Sequence, residues 1–583
     1  MHPFECLKRG EWILRIISFA ITLTIVSTGI LLVEPAQAGG VVTSCTESSL
    51  RAAMAGGGTV TFACDGSITL GSTLTNETDI VFDGSGHQVT ISGGNVVRVF
   101  FLGPHITLSL VNLTIAKGTA VGGAGILNSG GTVNATNCTF SENLVSGGYG
   151  GGGSRGGAIY NNGTVILDFC MFTGNWSSGA PGTWQPGTTL GGSGSGGAIF
   201  NNGTLEVRGS AFLGNGANGA VAGPGGMPGA PGGDGSGGAI YNQGNLWLDS
   251  STLENNGATG GAGGTGADGH PWMDIATDGG TGGTGGLGAG GGLFNSGTAT
   301  AVNTTFAGNF GGGGPGGTGG TGGTGQLIGG NGGSGGTGGA GFGAIYDSSG
   351  LLYLTNCTLA LNGGSGGAAG AGGMGGGHLS LSSGLSGASG LSGTSGVGSG
   401  GIKSIGCPLV NTILATNSGN CFGWVTDGGH NLSSDGTCAF TGVGSMNNTD
   451  PKLGPLANNG GPTLTMALLP GSPAINAGDP AGAPPTDQRG VTRPQGPGVD
   501  MGAFEYQYVP VFTGAKFQNS TNFWLQLSGM LPAQAFKLQG STNLMDWFDL
   551  TNFVAGANGV CEFVDGNLGK CATRFYRLKV SSP

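Results

Sequence analysis

Acidic and basic side chains recur at one position of a repeated segment, where they could act together. Asp168, Arg208 and Asp249 fall at the same place in three successive copies, and Glu206 lies in a neighbouring column. If the copies stack, outward side chains on adjacent layers come close enough for carboxylates to act as general acid and base on a polysaccharide. The alternative is a solvated strand face with one ion pair between layers, which stabilises a fold little.

Cationic side chains are scarce in the same region. Between Lys117 and Lys403 there is no lysine, and the arginines are Arg155 and Arg208. A polysaccharide lyase needs a cation as base or to neutralise a uronate, so this scarcity disfavours a lyase. Trp247 and Tyr353 fall in an outward column and could stack on sugar rings, although single exposed aromatic side chains are ordinary.

The segment that carries these residues recurs several times along the chain with small changes. GGAIYNNGTVILDFCMFTGN (156–175) returns as GGAIFNNGTLEVRGSAFLGN (196–215), GGAIYNQGNLWLDSSTLENN (237–256) and GGGLFNSGTATAVNTTFAGN (290–309). Looser copies lie at 123–143 and 342–362. Such self-similarity is typical of a solenoid, in which each copy buries its apolar face against its neighbours.

Within each copy, apolar side chains alternate with mixed ones, which indicates a strand with one buried face. One apolar column comprises Phe140, Phe172, Phe212, Leu253, Phe306 and Leu359, and an asparagine column three residues later comprises Asn143, Asn175, Asn215, Asn256, Asn309 and Asn362. We expect the asparagines to form a structural ladder in which the amides satisfy one another. The connections lengthen along the chain while the strand motif keeps its length. Together these features predict an all-β protein, a right-handed parallel β-helix with long Gly-rich loops, because stacked rungs tolerate loops of any length.

The loops at 144–155, 177–195, 216–236, 257–289, 310–341 and 363–400 are nearly uncharged and rich in glycine. Composition alone favours disorder or a loosely stacked fringe there. The alternative is a second layer in which adjacent loops pack beside the helix. GGDGSGGAI (232–240) matches a calcium-binding nonapeptide only in part, so no cofactor is expected and calcium is the alternative.

The overall composition narrows the class of protein. Of 583 residues, 137 are glycine and only 8% are charged, with a net charge of −11. No strict Gly-X-Y register persists, which excludes collagen. The negative charge and the lack of a basic patch predict no nucleic-acid partner.

The first 38 residues have the pattern of a secretory signal. Lys8, Arg9 and Arg15 precede an apolar run, and Ala36-Gln37-Ala38 is a small-residue cleavage site. An uncleaved membrane anchor is the alternative, since the apolar run is long enough to span a bilayer. No second such run follows, so no transmembrane segment is expected once the signal is removed, and the predicted location is secreted or cell-surface.

Cysteines in an exported protein can form lasting disulfides. The predicted local pairs are Cys45 with Cys64, Cys421 with Cys438, and Cys561 with Cys571. Cys138, Cys170 and Cys357 share one strand column and are expected to be buried free thiols. No CxxC or histidine-containing cluster occurs, so no metal site is predicted.

The segment organisation follows from these patterns. Residues 39–118 form an N-terminal cap with the first rungs, and CTESSLRAAM resembles the helical start of secreted bacterial β-helix proteins. Residues 119–440 form the β-helix, 441–508 a closing region, and 509–583 a small β-rich C-terminal module. The STNLxxW and RFYR pieces of that module resemble one common in large secreted bacterial proteins, and sorting, anchoring or glycan binding all remain open for it.

Two further resemblances bear on function. The GGA[I/L] and FxxN motifs of 123–362 resemble polymorphic outer-membrane protein repeats, a family of surface-displayed β-helices with adhesive roles. The motifs Asn459-Gly460-Gly461-Pro462-Thr463, Asp487-Gln488-Arg489-Gly490 and Gly502-Ala503-Phe504-Glu505 resemble the choice-of-anchor Q region of secreted bacterial proteins. Both resemblances imply extracellular or cell-surface use.

We therefore expect a secreted or cell-surface structural, adhesin-like protein without catalytic activity. Extracellular polysaccharide or cell-surface components are the expected partners. The alternative is a polysaccharide lyase or glycoside hydrolase, with Asp168, Arg208 and Asp249 as its candidate catalytic residues. A third hypothesis, an ice- or mineral-binding surface, is disfavoured because no regular threonine array is evident in the repeats.

Overall fold

The chain folds as a parallel β-helix, as the repeats predict. The structure, a computed structural model, describes residues 39–148, 150–183, 190–272, 274–379, 385–519, 522–556, 559–566 and 573–580. The predicted signal segment at 1–38 lies outside this part of the chain. Within the described residues the fold is almost all β, with one helix at Glu47–Met54.

Each turn of the β-helix contributes strands to a broad front sheet and a narrower side sheet. The front sheet has 20 strands and receives two from each repeat copy, a short one and a longer one separated by a tight turn. Its strands are Val41–Val42, Gly58–Phe62, Leu74–Asn76, Ile80–Asp83, Phe100–Leu102, Thr107–Val111, Ile126–Asn128, Thr132–Thr136, Ile159–Asn161, Thr164–Asp168, Ile199–Asn201, Thr204–Arg208, Ile240–Asn242, Asn245–Asp249, Leu293–Asn295, Thr298–Val302, Ile345–Asp347, Leu352–Thr355, Ile402–Val410 and Cys421–Asp427.

The side sheet has 11 parallel strands, one for each turn of the helix. They are Gly66–Thr69, Val89–Ser92, Leu113–Ala116, Thr139–Ser141, Met171–Thr173, Ala211–Leu213, Thr252–Glu254, Thr305–Ala307, Thr358–Ala360, Ile413–Ala415 and Leu432–Ser433. The chain passes from front to side sheet through a residue in the left-handed region, which explains the asparagines and glycine found there, for example Asn137 (φ 53°) and Gly209 (φ 54°).

Two sheets of short strands mark where each Gly-rich loop starts and ends. The loop-start strands are Thr119–Ala120, Leu144–Ser146, Trp176–Ser178, Gly216–Asn218, Gly257–Thr259, Phe310–Gly312 and Gly363–Ser365. The loop-end strands are Ser154–Arg155, Gly194–Ser195, Gly235–Ser236, Gly288–Ala289, Gly341–Phe342 and Gly398–Ser399. Both sheets are parallel and in register from one turn to the next.

The core follows the predicted apolar columns. Phe140, Phe172 and Phe212 are fully buried, and consecutive rings stack at centroid distances of 4.6 and 4.7 Å. The helix Glu47–Met54 covers one end of this core with Leu50 and Ala53, both buried, and Thr46 caps its start by accepting a hydrogen bond from the Ser49 amide. Capping of this kind closes the open end that a solenoid otherwise exposes.

The described parts of the four longest Gly-rich loops are hydrogen-bonded to one another, so the expectation of disorder is wrong there and the second-layer alternative is confirmed for them. We call residues 216–236, 257–289, 310–341 and 363–400, without Met273 and residues 380–384, the glycine layer. In its outgoing arms, Gly316 donates to Ala368 on the next loop (2.9 Å), while Gly317 donates to Gly283 on the returning arm of the previous loop (2.8 Å). These bonds recur every third residue, which is the period of polyproline II-type backbone.

Glycine is required in this layer because the backbones approach closely. A methyl group at Gly317 would collide with the carbonyl oxygen of Gly264. Every third position instead faces solvent and carries a side chain, as at Pro315, Thr318 and Thr321. Backbone hydrogen bonds therefore order a segment whose composition alone predicts disorder.

Residues 458–506, which we call the strap, lie along the outer face of the side sheet. Thr252 donates to the Leu464 carbonyl (2.6 Å) and Thr305 to the Gln488 side chain (2.6 Å). Thr358 accepts from the Ala503 amide (3.0 Å). Beside the strap, Leu453–Ala457 pairs antiparallel with Thr465–Leu468, a strand within it.

The C-terminal residues form the predicted β-rich module, built of two three-stranded antiparallel sheets. The first contains Val511–Phe517, Phe523–Ser528 and Cys561–Asp565, and the second contains Ala535–Ser541, Phe548–Val554 and Phe575–Val580. In the described part of the chain, no helix has the length and apolar character needed to cross a membrane.

Candidate functional site

The predicted acid–base residues lie together on the front sheet. Asp168, Arg208 and Asp249 pair directly across three neighbouring strands, as their register predicts. The Arg208 guanidinium lies 2.6 Å from a Glu206 oxygen and 3.5 Å from an Asp168 oxygen. Asp249 accepts a hydrogen bond from the Ser250 hydroxyl (2.9 Å).

This arrangement leaves Arg208 neutralised by two carboxylates on an open strand face. The Arg208 side chain is 46% exposed, so water screens the pairing, which is worth about 0–1 kcal/mol. The geometry matches the alternative drawn from the sequence, a solvated face with an ion pair between layers.

The predicted sugar-stacking residues are exposed but are not brought together. Trp247 and Tyr353 are 44% and 45% exposed. They share one column of the front sheet, with Thr300 between them. At about 4.8 Å per rung, their backbones lie roughly 10 Å apart.

Two of the three predicted disulfides are present, Cys45–Cys64 and Cys421–Cys438. The third pair is not tested, because Cys571 lies outside the described residues. Cys138, Cys170 and Cys357 are buried free thiols, as predicted, and burial raises the pKa of Cys138 to about 11. Such thiols are inert rather than nucleophilic at neutral pH.

No group of three or more potential metal ligands occurs among the residues that the structure describes. Asp234, the carboxylate of the partial calcium motif, accepts the Leu287 amide at 2.7 Å. Burial raises the pKa of Asp234 above its ordinary value. Its role in this position is to hold one loop of the glycine layer to the next.

The motif residues of the strap form a buried clasp. Arg489 binds Asp487 (2.6 Å) and stacks over the Phe504 ring at 3.6 Å. Arg493 binds Glu505 (2.8 Å), and both side chains are almost fully buried. The motifs at 487–490 and 502–505 therefore have a structural role, since their side chains hold the strap in its folded form on the side sheet.

The strap covers the side sheet only in part, and the uncovered turns form a groove that the sequence reasoning missed. Beneath the strap, outward residues such as Thr305 and Ala360 are buried. On the earlier turns of the β-helix, which the strap does not reach, the outward positions of the side sheet form two columns of small, mostly hydroxylated side chains. The columns are Ser67, Thr90, Thr114 and Thr139, and Thr69, Ser92, Ala116 and Ser141.

These columns line two adjoining depressions of about 1250 and 570 Å³. His87 and Asp65 border the first, and Lys117 borders the second. The S-x-T and T-x-S alternation at 67–69, 90–92 and 139–141 is the sequence signal that could have found them. This alternation lies before residue 156, in turns whose sequences differ from those of the clearest repeat copies.

Comparisons of the chain with family models, with curated protein sequences and with solved structures found no match.

Proposed function

We propose that the chain is an exported, non-enzymatic surface or matrix protein with an adhesive or scaffold role. The observation that carries the proposal is the glycine layer. Backbone hydrogen bonds between neighbouring loops order this layer beside the β-helix. Every third residue of a loop presents an uncharged side chain to solvent, as at Thr318 and Thr337. A surface of this kind suits extended contact rather than chemistry at one point.

Export is supported by two features. Residues 1–38 have the signal pattern given above, and the disulfides Cys45–Cys64 and Cys421–Cys438 close both ends of the β-helix. Disulfides persist in oxidising compartments, outside the cytosol. The resemblances to polymorphic outer-membrane protein repeats and to the choice-of-anchor Q region agree with this location.

The proposed partners are extracellular polysaccharide or cell-surface components, and no cofactor is required. The Asp168–Arg208–Asp249 column serves as a paired strand face in this proposal. An acid–base pair of a glycosidase would need one carboxyl group kept protonated, whereas here the nearest cation holds two carboxylates.

The test is an adhesion assay with a catalytic readout. Purified protein on beads is applied to films of neutral and acidic polysaccharides, with and without calcium, while retention and polymer chain length are followed. Retention with unchanged chain length is expected. Shortening of any polymer that is abolished by Arg208→Ala would overturn the proposal and establish the lyase or hydrolase alternative.

A further inference from the structure

The two adjoining depressions on the uncovered stretch of the side sheet form the groove. At one end the segment 84–88 projects beside the second turn and carries His87. At the other end the strap turns at Asn458–Leu464, where a third depression of about 250 Å³ lies against Met171 and Leu213.

The groove floor is suited to hydroxyl-bearing ligands. Thr90, Thr114 and Thr139 stand in register on successive strands, and Thr69 and Ser141, in the column two residues along, add two more outward hydroxyls. Successive rungs are about 4.8 Å apart, and residues two apart on a strand are about 6.6 Å apart. Each hydroxyl can both donate and accept a hydrogen bond, as sugar hydroxyls do.

Amide groups border the floor along the turn column. The Asn137 amide donates to the Asn112 side-chain oxygen, and the Asn112 amide donates to Ser85 (2.6 Å). This chain of bonds fixes the orientation of both side chains and leaves the Asn137 oxygen at its free end as an acceptor. Fixed polar groups at the border of a groove bind a ligand with little loss of side-chain entropy.

The charges that border the groove favour a neutral ligand. Lys117 lies 3.8 Å from Glu142, so its charge is countered. Asp65 accepts the Gln88 amide (2.7 Å), which lowers the pKa of Asp65 and keeps it ionised. A polyuronate would face Asp65 and a chain of net charge −11 without an unpaired lysine or arginine in the groove lining, whereas a neutral glycan meets no such repulsion.

Phe169 supplies an aromatic face at the end of the amide column. It follows Asn112 and Asn137 in the turn column, has φ 56°, and is 57% exposed. A bulky residue in the left-handed region is an outlier, and such outliers cluster at functional sites. The ring lies over Gly209, where a Cβ atom would come within 2.8 Å of two ring carbons, and Pro462 of the strap is near the same point.

We propose that this groove binds an extended neutral polysaccharide, whose hydroxyls bond to the threonine columns and asparagine amides while one sugar ring stacks on Phe169. The inference rests on the proposed function and names its adhesive site and ligand class. Stacking on one exposed ring and several polar contacts give a weak single site. Repetition along a polymer would raise retention through multivalency.

The test compares matched variants of the full protein against soluble neutral oligosaccharides, by isothermal titration, and against the corresponding insoluble polymers. The probes are mannan, xylan, galactan and β-glucan fragments, with polygalacturonate and alginate as acidic counterparts. Phe169→Asn removes the aromatic ring. Asparagine already occupies the equivalent position in the two preceding turns, at Asn112 and Asn137, so the fold is expected to persist. The double variant Thr90→Val, Thr114→Val removes hydroxyls at nearly constant volume. The control is Phe422→Asn, because Phe422 is 40% exposed on the front-sheet strand Cys421–Asp427, outside both the groove and the glycine layer.

We expect Phe169→Asn and the threonine pair each to weaken binding of a neutral glycan about tenfold or more, with Phe422→Asn unchanged. Unchanged binding in both groove variants, binding to no neutral glycan, or a preference for polyuronates would each overturn the groove assignment. Adhesion that persists in both groove variants would leave the proposed function standing and refute the groove alone. Shortening of the polymer would refute the proposed function itself.

Discussion

The side-chain amide of Asn256 donates hydrogen bonds to the Phe212 carbonyl (3.0 Å) and to the side-chain oxygen of Asn309 on the next turn (2.9 Å). Its own oxygen accepts from the backbone and side-chain amides of Asn215 (3.0 and 2.9 Å). The same bonds recur at each turn from Asn143 to Asn362, all buried. A polar ladder thus runs through the corner of the β-helix with its donors and acceptors matched.

Asn256→Ala should destabilise the protein by at least about 2 kcal/mol, because it removes the buried acceptor of the Asn215 backbone amide and the side-chain donor to the Phe212 carbonyl. Chemical denaturation followed by intrinsic fluorescence measures the change. Asn202→Ala is the control, since the Asn202 side chain is exposed and donates to the Asn162 side chain (3.2 Å) at the surface, and the substitution should change stability by less than about 0.5 kcal/mol. Equal effects of the two substitutions would refute the structural role of the ladder.

Phe212→Ala should cost about 3–5 kcal/mol, because the ring is fully buried and stacks on Phe172 at 4.7 Å. The neighbouring Leu213 points outward and is 40% exposed. Leu213→Ala should therefore be nearly neutral in the same unfolding experiment. A cost below about 1 kcal/mol for Phe212→Ala would contradict the inward orientation of its column.

Much of the β-helix could be predicted from the sequence, because its signal is repeated. Phe212 and Asn215 each belong to a column of recurring residues, and period-two alternation then fixes which side of the strand each residue faces. The pairs Cys45–Cys64 and Cys421–Cys438 were also predictable, since each closes a short segment. Sequence alone did not decide whether Asp168, Arg208 and Asp249 form a catalytic set or a paired face, because that depends on side-chain contacts.

The glycine layer should resist hydrogen exchange. The amide of Gly317 donates to Gly283 within the layer, and the amide of Gly320 donates to Gly280 (2.8 Å each). Gly317→Ala should release this protection over the surrounding residues of 310–341, because the added methyl group collides with the Gly264 carbonyl. Hydrogen exchange followed by mass spectrometry of peptides measures the change in amide protection in each segment of the chain.

Thr318→Ala provides the control for that experiment, since Thr318 faces solvent. It should leave protection unchanged. Exchange of residues 310–341 at random-coil rates in the unaltered protein would contradict the layer.

The strap, the groove and the glycine layer were harder to predict, for different physical reasons. Glycine content is shared by disordered chains and by close-packed backbones, and only the positions of neighbouring loops separate them. The strap depends on contacts between distant residues, such as Thr305 with Gln488, which leave no periodic trace. The groove lies on turns that the strap does not reach, since the strap turns near Pro462, and neither the strap nor the groove leaves a trace in the repeats.

Stability should also depend on pH through the strap. Burial, with the nearby Glu505 charge, raises the pKa of Asp500 to about 7 from its ordinary 3.8. The folded protein therefore holds this proton more tightly than the unfolded chain does. The stability gained from protonated Asp500 is fully present below about pH 4 and is lost as pH rises through about 7.

Asp500→Asn should reduce the difference in unfolding free energy between about pH 5 and pH 8, because the substituted amide does not titrate. Urea unfolding at the two pH values measures the difference for both proteins. A difference of the same size in both would show that Asp500 does not titrate over this range.

The central claim, binding without cleavage, is tested most directly by measuring the chain-length distribution of a polysaccharide that retains the protein. Neutral polymer films are incubated with protein, and both the bound protein and the soluble sugar released are quantified over time. The account predicts bound protein, no released fragments and loss of retention in Phe169→Asn. Released fragments, or unsaturated uronides from an acidic film, would contradict it.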